Sequence, residues 1–225
     1  MAESLNSDQE LTLEELASHL RKPEGEKGKE VGTLMNDGNK YICLNTYHIL
    51  APQNKDHILE IGMGNGFFIR NLLEMADDLS YVGLDFSSTM VAEASRINED
   101  LIDQNKVQFE CASIEKIPFP DNSFDSITTT NTLYFWPQPN ENIKELIRVL
   151  KPNGKLLCAY RSKNCLDSLE LTQFGFQKYE INELESMFKS AGLSNISTQI
   201  IEEPDLELDG IAHKIEGIFT SGVKA

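Results

Sequence analysis

From His57 onward, short apolar runs alternate with amphipathic stretches. HILEIG (57–62), YVGLD (81–85), VQFEC (107–111), FDSITTTN (124–131) and KLLCAY (155–160) read as strands. GFFIRNLLEMA (66–76), STMVAEASRINEDLIDQ (88–104) and ENIKELIRVL (141–150) read as helices between them. In the last of these Ile143, Leu146, Ile147 and Leu150 mark one face. Pro152-Asn153-Gly154 stops that helix and starts the next strand. Further on, INELESMFKSA (181–191) is a helix ended by Gly192, and NISTQII and GIAHKIEGIF are plausible strands. Strands separated by helices imply a mostly parallel sheet covered on both faces.

Ahead of this region, Thr12 and Glu15 fit a capping box for a first helix, with Leu13, Leu16, Ala17 and Leu20 as its apolar face. RKPEGEKGKEVG (21–32) is polar and glycine-containing and reads as a loop. A second helix is expected from about Asn36 to Leu50. Residues 1–50 are therefore expected to form a helical cap and 51–225 the main domain. The segment from Arg161 to Lys178, long for a connection, is expected to wall a ligand site as a mobile cover, with an ordinary packed helix as the alternative.

Candidate chemistry concentrates at one turn. Glu60-Ile61-Gly62-Met63-Gly64-Asn65-Gly66 ends a strand and opens a helix. Gly62, Gly64 and Gly66 permit a tight turn and close backbone approach to a ligand, and free N–H groups at a helix start suit a carboxylate or phosphate. The spacing is not that of a dinucleotide fingerprint, which would place glycine where Phe67 stands. Asp85 ends the second strand, where an acid can accept hydrogen bonds from both hydroxyls of a ribose; an acid favouring a helix start is the plainer reading. Phe86 follows and could lie against an adenine ring.

Four segments in order, EIGMGNG (60–66), GLD (83–85), IEKIPFPDNSFDSI (114–127) and RVLKPNGKLL (148–157), make the chain resemble class I S-adenosylmethionine-dependent methyltransferases. Within that class it is most similar to the small-molecule enzymes of the ubiquinone/menaquinone-biosynthesis type. The resemblance implies a Rossmann-like α/β fold: a seven-stranded, mostly parallel sheet with the last strand antiparallel, helices on both faces and the N-terminal helices over the cofactor cleft. It implies S-adenosylmethionine as methyl donor, with Gly62, Gly64 and Gly66 around its methionine part, Glu60 near its amino group and Asp85 on its ribose. Ser113 stands where the family usually has an acid for the adenine amino group, and the Ile114 N–H could serve a ring nitrogen. Asn131 matches the position facing the reacting methyl, or is a strand-end cap. Tyr134-Phe135-Trp136 would border the active-site mouth, or simply cover a sheet edge.

Composition narrows the partners. The formal net charge of −16, with no Lys/Arg-rich stripe, repels phosphate backbones and anionic membranes, so nucleic acid and membrane are not expected partners. MAESLNSDQE is acidic and lacks the apolar region of a signal peptide, and no apolar run approaches membrane-span length. Cys43, Cys111, Cys158 and Cys165 form no C-x-x-C pair and fit reduced, mostly buried thiols in the cytoplasm, with no metal site. The expected protein is a cytoplasmic monomer or homodimer that methylates a small organic acceptor. His48 and Tyr134 are conceivable bases, but none is assigned. The alternatives are a non-catalytic module that binds S-adenosylmethionine and a nicotinamide-dependent reductase. The glycine spacing opposes the reductase.

Overall fold

The computed structural model describes residues 11–208 and 211–225, with side chains described outside 206–211. The MAESLNSDQE segment and Gly210 thus lie outside the described residues. Seven strands form one sheet in the order β3-β2-β1-β4-β5-β7-β6. They are β1 (His57–Ile61), β2 (Ser80–Asp85), β3 (Val107–Cys111), β4 (Phe124–Thr130), β5 (Leu150–Arg161), β6 (Leu193–Leu208) and β7 (Ile211–Lys224). The pairs joining β3 to β5 are all parallel, and β7 lies antiparallel between β5 and β6. The strand order reverses direction between β1 and β4, so a crevice opens beyond their carboxyl ends.

Alternation along each strand divides the core in two. Leu59, Ile61, Val82, Leu84, Leu156 and Tyr160 face α6 (Pro139–Val149) and α8 (Ile181–Ser190), where Ile143, Leu146, Leu184 and Phe188 are buried. Ile58, Tyr81, Leu157, Ala159 and Phe219 face α2 (Gly25–Leu50), α3 (Ile69–Leu73), α4 (Ser88–Ile97) and α5 (Glu99–Asp103). The capping box at Thr12 is present and starts α1 (Leu13–Arg21), which packs on α2.

Three sequence expectations are corrected. The 21–32 loop shrinks to Lys22-Pro23-Glu24, because α2 already begins at Gly25. The Lys27–Glu30 and Lys29–Glu26 pairs support its first turns, and Gly28 and Gly32 serve packing: a Cβ at Gly28 would lie 2.6 Å from the Pro23 carbonyl carbon and one at Gly32 3.0 Å from Met90 Sδ. The 66–76 helix contracts to Ile69–Leu73, since the residues before it form the glycine turn. The 88–104 helix breaks at Asn98, whose buried amide donates to Gly66 O at 3.1 Å and so joins α4 to that turn.

The 161–178 segment contains a short helix α7 (Lys163–Asp167) and a 3-10 turn over Glu170–Gln173, with Cys165, Leu166 and Thr172 buried. The IPFPDN loop is clamped to α6 by Arg148, which donates to Phe119 O, Ile117 O and Asp121 and pairs with Glu145. That clamp ties together two of the four segments that carry the resemblance.

Candidate active site

The glycine turn has the backbone that its spacing anticipated. Gly62, Gly64 and Gly66 adopt φ of 70°, 58° and 68°, a region side chains disfavour. The three differ in surroundings. A Cβ at Gly62 would meet Thr132 at 2.3 Å, and one at Gly66 would meet Ile69, Asn98 and Ala94 at 2.9–3.1 Å. One at Gly64 would meet nothing within 4 Å. The outer two glycines are required by the protein's own packing, while Gly64 borders open space.

Asp85 closes the other side. Its carboxylate accepts from Gly64 N at 3.1 Å and Ser87 N at 2.9 Å. Burial pushes it up to about 6, against the backbone N–H groups of Ser87, Gly64 and Phe86 that favour its charged form. The Phe86 ring is exposed, 5.8 Å from Lys22 Nζ. Ser113 is exposed, and its hydroxyl is engaged with Glu115 in a local turn; the Ile114 side chain is buried, while its N–H makes no hydrogen bond among the described residues. Open space at Gly64, a buried carboxylate beyond it and a spare N–H form a set able to hold a nucleoside carrying an amino-acid arm. A cavity of about 500 Å³ lined by His57, Ser80, Lys106 and Phe109 contains none of these groups.

Helix α2 lies over this crevice and is fastened along its length. Gly25 N donates to Thr89 at 3.2 Å, Asn65 donates to Gly32 O at 3.2 Å, and Asn39 accepts from Asn131 at 2.9 Å. Deeper in, Tyr47 and Tyr81 both donate to Glu60 Oε2, at 3.0 and 2.8 Å. Burial pushes the Glu60 carboxyl up to about 7, and the two tyrosines only partly offset this. Glu60 therefore belongs to the α2–sheet interface as well as to the glycine turn. A carboxylate inside an apolar strand signals that donors must exist; that Tyr47 and Tyr81 supply them was not readable.

Asn131, at φ 56°, ends β4, and its half-buried side chain joins α2 to the 3-10 turn at Leu133–Phe135. Tyr134 and Trp136 are buried in the core, and Phe135 stacks edge-on with Phe176. These aromatics thus mainly take the covering role. Two of them still reach polar partners: the Trp136 indole N–H donates to Thr132 Oγ1 at 3.0 Å, and the Tyr134 hydroxyl donates to Asn131 at 2.9 Å and accepts from Arg161 N. Burial pushes Tyr134 far up, which unfits it as a base, and His48 is exposed on the outside of α2. Arg161, which the sequence did not single out, ends β5 with its guanidinium donating to Gly38 O at 3.2 Å and paired with buried Glu203 at 2.6 Å. Cys111 is exposed on edge strand β3, contrary to the expectation from its apolar run; Cys158 and Cys165 are buried. Among the described residues no cluster could hold a metal ion, and no helix is long and apolar enough to cross a membrane.

Residues 59–158 match the methyltransferase domain family. The chain is 29% identical over 185 residues to the uncharacterized methyltransferase YdaC of Bacillus subtilis, covering 81% of this chain and 97% of that protein. It is 35% identical over 134 residues to the ubiquinone/menaquinone biosynthesis C-methyltransferase UbiE of Rickettsia bellii, covering 58% of this chain. That match spans about half, 54%, of UbiE's length. Among solved structures, the methyltransferase bound to the Haloferax volcanii Trm112 methyltransferase activator superposes with a TM-score of 0.73 at 21% identity, covering 85% of this chain and 92% of that one. A SAM-dependent methyltransferase from Aquifex aeolicus gives 0.64 at 20% identity, covering 88% and 99%.

Proposed function

We propose that the chain, similar in sequence to class I S-adenosylmethionine-dependent methyltransferases, methylates a small organic acceptor in the cytoplasm, beneath α2. Methyl transfer from S-adenosylmethionine is the activity of the class. The observation that carries the site assignment is the pairing of Gly64, open to space, with buried Asp85 across the crevice. In this reading Gly62, Gly64 and Gly66 follow the methionine arm, Asp85 exchanges its bond from Gly64 N for the two ribose hydroxyls, and Phe86 and Ile114 N flank the adenine. Ser113, tied into its own turn, contributes little. Glu60 holds α2 through two tyrosines and lies under the amino-acid arm.

The donor supplies an electrophilic methyl on a sulfonium whose departure leaves a neutral thioether, so the protein's main task is alignment and exclusion of water. Helix α2, fastened at Gly25, Gly32 and Asn39, suits both tasks. The acidic surface disfavours nucleic acid as acceptor. The test is calorimetry with S-adenosylhomocysteine and NAD, followed by turnover on small acceptors. Saturable binding of NAD without response to S-adenosylhomocysteine would overturn the site. Tight S-adenosylhomocysteine binding without turnover on any acceptor would favour the binding-module alternative.

A further inference from the structure

At the carboxyl ends of β4 and β5 two side chains point donors toward α2, and two consecutive α2 residues answer them. Asn131 Nδ2 donates to Asn39 Oδ1 at 2.9 Å, and Arg161 Nη2 donates to Gly38 O at 3.2 Å. The direction of the first bond is fixed by a chain of constraints. The Arg161 backbone N–H can only donate, and it donates to the Tyr134 hydroxyl oxygen. The Tyr134 proton is then left for Asn131, so Asn131 must turn its oxygen to Tyr134 and its amide N–H groups to α2. At the other pole, Glu203 neutralises Arg161 in a buried pair, yet Arg161 Nη1 and Glu203 Oε1 have no well-directed hydrogen bond. The guanidinium therefore keeps spare donor capacity.

We infer that Arg161 and Asn131 are specificity residues that read two uncharged oxygens of the acceptor, that Gly38 and Asn39 hold the place of those oxygens while α2 is closed, and that Tyr134 is the positioning residue for Asn131. This rests on the small-acceptor reading above. Both stand-in oxygens are neutral amide oxygens, so an acceptor with two neutral oxygens replaces them without changing the local charge. A carboxylate would face Glu203, and an amine would face the Arg161 guanidinium and the Asn131 N–H groups, with the Glu203 carboxylate already neutralised by Arg161.

The probe is a small-metabolite extract separated at neutral pH into anionic, neutral and cationic fractions, each incubated with the full chain and S-adenosylmethionine. Formation of S-adenosylhomocysteine is measured by mass spectrometry. Turnover is expected in the neutral fraction. With that fraction, Arg161→Lys and Tyr134→Phe should raise the acceptor KM about tenfold, the worth of one lost charged or positioning hydrogen bond, while S-adenosylhomocysteine affinity stays level. Asn39→Ala, which removes a competing oxygen, should lower KM about threefold, a gain that a purely structural role would not produce. Turnover confined to charged fractions, or unchanged KM in Arg161→Lys and Tyr134→Phe with normal cofactor binding, overturns the inference alone. Absence of turnover in every fraction overturns the small-acceptor reading beneath it.

Discussion

At Gly64 and Asp85 single side chains can be separated from the fold around them. Gly64 has φ 58° and open space where its Cβ would go. Gly64→Val therefore strains the backbone by roughly 1–2 kcal/mol and projects a branched side chain into the space assigned to the cofactor. The chain should still fold, while calorimetry shows no S-adenosylhomocysteine binding; retained affinity would move the site elsewhere. Asp85→Ala removes a charged acceptor and should weaken that binding by about 1.5–3 kcal/mol. Asp85 also sets a pH dependence. Its carboxyl is raised to about 6, and only the ionised form accepts freely from two hydroxyls. Affinity should thus fall as pH drops from 7 to 5, and a flat profile in that range would argue against a ribose contact.

Elements fail differently, through packing. Helix α2 buries Ile42, Tyr47 and Leu50 against the sheet and carries Gly38 and Asn39 over the crevice. A chain starting near Leu50 should lose turnover and much stability in thermal melts. If it folds and turns over normally, α2 has no role as a cap. The Arg148 clamp can be tested on its own element. It satisfies two loop carbonyls and two carboxylates, so Arg148→Ala should cost about 2 kcal/mol in denaturant unfolding and also loosen the loop that carries Ile114. The 161–178 segment packs Leu166 and Thr172 inward but leaves Phe174 exposed. Hydrogen exchange there should slow when ligands fill the crevice if it acts as a cover; equal protection in both states would make it ordinary packing.

For the molecule as a whole, two raised acids and the net charge act in the same direction. Glu60 is raised to about 7 from an ordinary 4.5 and Asp85 to about 6 from 3.8, so between these values the folded chain binds more protons than the unfolded one. Their contribution is full below about pH 4, and is lost as pH rises through 6 and 7. Self-repulsion at a formal charge of −16 adds to the loss. Stability should therefore decline from pH 5 to 8. Glu60→Gln keeps an oxygen for both tyrosines and should remove on the order of 3 kcal/mol of that decline. An unchanged slope in the variant would show that Glu60 is not the titrating group.

Periodicity alone located most strands and the helices on both faces, because burying alternate or every third-to-fourth position is a local demand on local sequence. The glycine turn was legible for the same reason: positive φ is a property of the residue itself. The resemblance carried by the four segments supplied the strand order and the cofactor. Tertiary structure decided what depends on partners far apart in the chain. Polar, glycine-rich 25–32 became helix because Gly28 and Gly32 let it lie close against Pro23 and Met90. Asn98 broke a helix that periodicity ran straight through, because its amide is needed at Gly66. Tyr47, Tyr81, Asn39 and Arg161 gained their roles only when the sheet brought Glu60, Asn131 and Glu203 beside them, since a hydrogen-bond partner across 13 to 92 positions is set by topology and leaves no local pattern.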